Sequence, residues 1–200
     1  MAAQLNVRYP PVPCGEDAYS HSMDAKTAFV VVPIPADVVE RARSRSSAES
    51  EGTAVSLTAK GGEPLRCCLR NAVRGDALVL FNYEPLLPQS PYQEKGAVFA
   101  HASPCHHQVD QTRYPPDWRG RPQVLRAYDR RGWIHAANVH DGTSPEAAIR
   151  AAFEDSRVVE IHSRNVAYGC FMFSLRRAHD MANNEGERAD PVMLRSTRTY

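Results

Sequence analysis

Lysine is nearly missing from this chain: Lys26, Lys60 and Lys95 stand against 21 arginines. GC-rich coding is the plain source of such a bias. It nonetheless leaves the chain equipped with planar, fork-shaped cations that hold carboxylate, sulfate or phosphate better than an ammonium does. Surplus charge is missing too. With 24 basic residues against 23 acidic ones, nothing drives non-specific attraction to nucleic acid or to an anionic membrane. Aromatic residues make up only 8% and do not interleave with a basic stripe, which also argues against a nucleic-acid partner.

Several standard signals are absent. No apolar run approaches the roughly 18 residues of a membrane span. The stretch from Met1 to Arg8 has no apolar signal core, so the expectation is a cytoplasmic protein without a membrane partner. There is no glycine-rich phosphate loop with its lysine, no dinucleotide fingerprint and no nucleophile elbow. No Cys-x-x-Cys or His-Glu-x-x-His spacing occurs either, and no cofactor is expected. Cys14, Cys67, Cys68, Cys105 and Cys170 are an odd number of thiols, read mostly as small core residues in a reducing compartment.

What is present reads as an α+β fold. Two hundred residues suit a single domain. The expected division is an arm over residues 1–25, a domain over 26–177 and a polar tail over 178–200. Strands are expected at residues 27–33, 76–83, 96–101, 123–129, 133–139, 157–162 and 168–175, from β-branched and aromatic runs bounded by proline and glycine. Helices begin at Pro35 and at Pro145, while residues 44–52 read as a solvated loop or a frayed helix end. The consistent architecture is a largely antiparallel curved sheet or partly open barrel with two covering helices.

The densest stretch runs from Gly62 to Arg70. Taken as a strand, it puts Leu65, Cys67 and Leu69 on one face and Arg66, Cys68 and Arg70 on the other. Guanidinium groups on a strand face are buried only where something anionic meets them. Arg126, beside Tyr128 on a later strand, and Arg164, after Glu160 and His162, extend the pattern.

Glu63 to Arg70, Tyr92 with Gly96 to His101 and Cys105, Leu125 to Asp129, and Arg164 to Cys170 together resemble the bacterial family known as domain of unknown function 1203, over about Lys26 to Arg177. That resemblance implies no activity. A looser association with proteins that build aziridine-containing natural products implies ring closure with loss of sulfate or phosphate.

These readings give the following expectations. Arg66, Arg70, Arg126 and Arg164 hold an anionic small-molecule substrate, or each pairs with a carboxylate such as Glu63, Asp129 or Glu160. His101 or His162, supported by Asp129 and Tyr128, serves as general base for a cofactor-independent elimination or displacement, or is a satisfied structural histidine. Cys68, between two arginines, is a candidate nucleophile. His101, Cys105, His106 and His107, completed by His162 or Cys170, form an alternative metal set. The rival to an enzyme is an anion-binding or accessory protein with a protein partner or a second copy of itself.

Overall fold

A computed structural model of the chain describes residues 28–47 and 53–180. The expected arm over residues 1–25, Cys14 and most of the expected tail lie outside the described residues. In chain order the elements are β1 (Phe29–Val32), α1 (Ala36–Ser47), β2 (Ala54–Thr58), β3 (Pro64–Leu65), β4 (Arg70–Asn71), β5 (Ala77–Tyr83), β6 (Gly96–His101), a 3-10 turn (Pro116–Trp118), β7 (Gln123–Tyr128), β8 (Ile134–His140), α2 (Pro145–Glu154), β9 (Glu160–Asn165) and β10 (Phe171–Arg177).

The class is α+β, as the patterning predicts. The strands divide between two five-stranded sheets, one in the order β1-β10-β9-β7-β8 and the other β2-β5-β6-β3-β4. Every pairing is antiparallel except β3 with β6, which meet in parallel where Leu65 faces Phe99. Each helix covers one sheet. On α2, Ile149 and Phe153 pack into a core with Trp118, Leu125, Ile161, Phe173 and Leu175. On α1, Val39 and Ala42 pack against Val79, Phe81, Val98 and Ala100. Helix α1 continues to Ser47, so of the two readings of residues 44–52 the helix end holds for the part that is described.

Period-two alternation gives the first sheet two unlike faces. One carries Leu125, Ala127, Ile161, Phe173 and Leu175 beneath α2. On the other, Arg126 faces His162 and Tyr128 faces Glu160 across β7 and β9, while Ser174 faces His162 and Arg176 faces Glu160 across β9 and β10. That polar row meets the second sheet through Phe171, whose ring lies 5.3 Å from that of His162 and 5.2 Å from that of Tyr83.

Candidate metal centre

The Gly62–Arg70 stretch is not one strand. Between β3 and β4 the backbone turns, closed by the Leu69 N–H donating to Leu65 O at 2.9 Å and tied to β6 by the Arg66 N–H donating to Phe99 O at 2.9 Å. Leu69 takes φ +56°, a left-handed conformation that costs a branched residue about 1–2 kcal/mol. Its burial to 2% exposure offsets that cost. In an extended strand the side chains of Cys67 and Cys68 would diverge. In this turn both sulfurs reach the same imidazole, 3.5 and 3.9 Å from His101 Nδ1 at the end of β6.

Cys105, four residues beyond His101, brings a third sulfur 3.8 Å from Cys67 Sγ. The four ligand atoms of Cys67, Cys68, His101 and Cys105 all lie within 4.8 Å of one another. A tetrahedral ion bonded at about 2.3 Å to sulfur and about 2.0 Å to nitrogen sets two sulfurs about 3.8 Å apart, and a sulfur and nitrogen about 3.5 Å apart. The Cys67–Cys105 and Cys67–His101 separations match those edges.

Electrostatics favours one thiolate before any ion arrives. A hydrogen bond from Cys68 pulls the Cys67 thiol below its ordinary value; burial opposes this, and the His101 backbone N–H and ring assist it. The same bond to Cys67, together with burial, pushes Cys68 up. Burial first, then the Cys67 charge, pushes Cys105 up as well. The His101 N–H donates to Cys67 Sγ at 3.4 Å. On the far side of the ring Asp76 Oδ2 stands 3.8 Å from Nε2, beyond hydrogen-bond reach. Arg43 on α1 donates to His101 O and Ser103 O, each at 3.0 Å, fixing the segment that carries two of the ligands. Beside the cluster opens a cleft of about 660 Å³ lined in part by Cys67, Cys105, His107, Arg43 and Val39.

The four arginines expected to converge do not share one pocket. Arg126 and Arg164 do meet, each donating Nη1 to one oxygen of Glu94 at 2.5 Å, so the two cations share one carboxylate and the trio keeps one positive charge. Arg70 is exposed on β4 in the other sheet. Arg66 is 2% exposed. It donates Nε to Phe171 O at 2.8 Å, Nη1 to Pro64 O, and Nη2 to Met172 Sδ at 3.5 Å. The strand parity that paired Arg66 with Arg70 fails because the turn rotates one inward and the other outward.

The expected acid–base residues separate in the same way. His162 Nε2 meets Glu160 Oε1 at 3.0 Å. Because a carboxylate only accepts, the neutral ring carries its proton on Nε2, leaving a lone pair on Nδ1. Burial holds His162 below its ordinary value against the pull of Glu160, and its Nδ1 has no partner. Tyr128 packs 4.6 Å from that ring. Asp129 instead closes the β7–β8 turn, bonding Arg131 and the Trp133 N–H. His101 belongs to the sulfur cluster, remote in topology from Asp129. His106 and His107 are exposed and outside the four-ligand set. His162 and Cys170 do not complete it either. Its missing members were Cys67 and Cys68, and no local sequence signal marks the turn that brings them together.

Residues 62–177, more than half of the chain, match the family described as "Protein of unknown function (DUF1203)". No curated protein and no solved structure matches the chain. Among the described residues no helix is long and apolar enough to cross a membrane.

Proposed function

The chain belongs to the DUF1203 family, and we propose that it is a metal-binding protein holding one thiophilic ion, zinc by preference, through Cys67, Cys68, His101 and Cys105. The observation that carries this reading is three sulfurs and one imidazole nitrogen gathered within 4.8 Å, with the Cys67–Cys105 and Cys67–His101 separations at the edges of a tetrahedral ion. Soft thiolates select zinc or monovalent copper over magnesium and calcium. Four protein ligands close the shell, which is the pattern of a structural ion rather than one that binds substrate. Such an ion would staple the turn after β3, the end of β6 and the irregular segment that follows, and so hold one wall of the adjoining cleft.

The reading replaces the cofactor-free expectation. The anionic-substrate chemistry expected from the sequence is kept apart from it, since Arg126, Arg164 and His162 lie on other elements. The test is elemental analysis of the untagged protein purified without chelator. About one zinc per chain is expected in the wild type, with loss of most of it in Cys105→Ser. A wild type that holds no stoichiometric metal after reduction and dialysis against zinc would overturn the proposal.

A further inference from the structure

Arg66 has a cation's problem that the described residues do not solve. Its side chain is among the largest fully buried ones, and among the described residues no carboxylate pairs with it. Two of its nitrogens find backbone carbonyls, while Nη2 has only the thioether of Met172, a weak acceptor. A buried charge without a counter-ion is strongly unfavourable unless an anion reaches it.

A cavity of about 660 Å³ lies against this group, within the size range of small-molecule sites. Arg66 lines it together with Pro64 and Met172, the acceptors of its Nη1 and Nη2. Leu80, Ala97, Phe99 and Trp118 make most of the other walls apolar, with the exposed Arg121 and the half-buried Asn165 and Glu63 also on the lining; the Glu63 carboxylate is taken up by the Lys60 and Gly61 N–H groups. The neighbouring cavity is different in kind. It is lined by Glu94, Lys95 and Arg164, and its arginine already has a carboxylate partner in Glu94.

We propose that the Arg66 cavity binds a small organic acid, its carboxylate on the Arg66 guanidinium and its apolar body between Phe99 and Trp118. A mostly apolar pocket with one buried cation recognises such an amphiphile and discriminates against its neutral analogue, because the analogue leaves the guanidinium unpaired. Inorganic phosphate is disfavoured by the same walls, having no apolar body to set against them. The inference stands on residues outside the metal centre and does not depend on it.

The experiment is calorimetric titration of the full-length protein with benzoate, benzyl alcohol and inorganic phosphate as probes. Saturable one-to-one binding of benzoate is expected, with benzyl alcohol at least about thirtyfold weaker and phosphate silent. Arg66→Met is expected to weaken benzoate by a similar factor while leaving benzyl alcohol unchanged. Because Arg66 also holds two backbone carbonyls, that variant could lose its fold, and Ala97→Trp provides the second arm. It fills the cavity from β6 and is expected to abolish benzoate binding with little change in melting temperature. Any of four results overturns the proposal: no benzoate binding at 10 mM or so, equal binding of benzoate and benzyl alcohol, phosphate binding in place of benzoate, or full benzoate binding in a folded Ala97→Trp.

Discussion

Removing the ion from the Cys67, Cys68, His101 and Cys105 cluster is the perturbation with the best-defined size. The ion would close the chain between Cys67 and His101, a loop of roughly 34 residues. Closing a loop of that length removes about 4 kcal/mol of chain entropy from the unfolded state on the cross-link relation. For a chain of this length about 1 kcal/mol corresponds to roughly 2–4 °C. The melting temperature should therefore fall by about 10 °C when a strong chelator strips the reduced protein. Re-addition of one equivalent of zinc should restore it, and Cys105→Ser should start near the stripped value. Differential scanning calorimetry on the loaded, stripped and reconstituted protein makes the comparison. A stripped protein that melts within about 2 °C of the loaded one would refute the stapling argument, even if the ion binds.

Three further outcomes follow from the same geometry. Cys68 and Cys105 are held toward their thiol forms, so zinc binding at neutral pH should release about two protons per ion; titration in buffers of different ionisation enthalpy counts them, and zero release contradicts the ligand set. Glu94→Gln leaves Arg126 and the 7%-exposed Arg164 side chain without their shared carboxylate. It should cost about 1–2 kcal/mol in urea unfolding, less than a fully buried pair because Glu94 is 42% exposed. Burial depresses His162, so the unfolded chain takes up that proton first. Stability of the metal-free protein should be full above about pH 6.5 and decline as pH falls below it, by at most about 1.4 kcal/mol per unit. Replacing His162 by Asn should flatten this part of the profile, and an unchanged slope would assign the decline to other groups.

The regular elements were legible because their signals are local. Phe29 to Val32, Ala77 to Tyr83 and Phe171 to Arg177 are runs of β-branched and aromatic residues whose burial in one sheet or another was assured. Their division into two sheets was not legible, since periodicity says which face is apolar and not which partner covers it. Strand β2 escaped notice because only Ala54 of its five residues is buried. The site was half legible. His101 and Cys105 lie close in sequence and invited a metal reading, whereas Cys67 and Cys68 were hidden by treating their stretch as extended. Leu69 decided that matter: leucine rarely adopts positive φ, and nothing in its sequence neighbourhood announces that it does. Likewise Arg126 and Arg164 both bond Glu94, which sits in a loop with no periodicity to read.

The turn between β3 and β4 carries Cys67 at one end of a single peptide bond and Arg66 at the other. Were both proposed sites to fill, a shift of the turn on loading one would move the other, so the two loadings would be coupled although neither requires the other. By thermodynamic reciprocity, the factor by which zinc alters affinity for an organic acid must equal the factor by which that acid alters affinity for zinc. The acid would then report metal status, and the metal would set the concentration at which the acid is held.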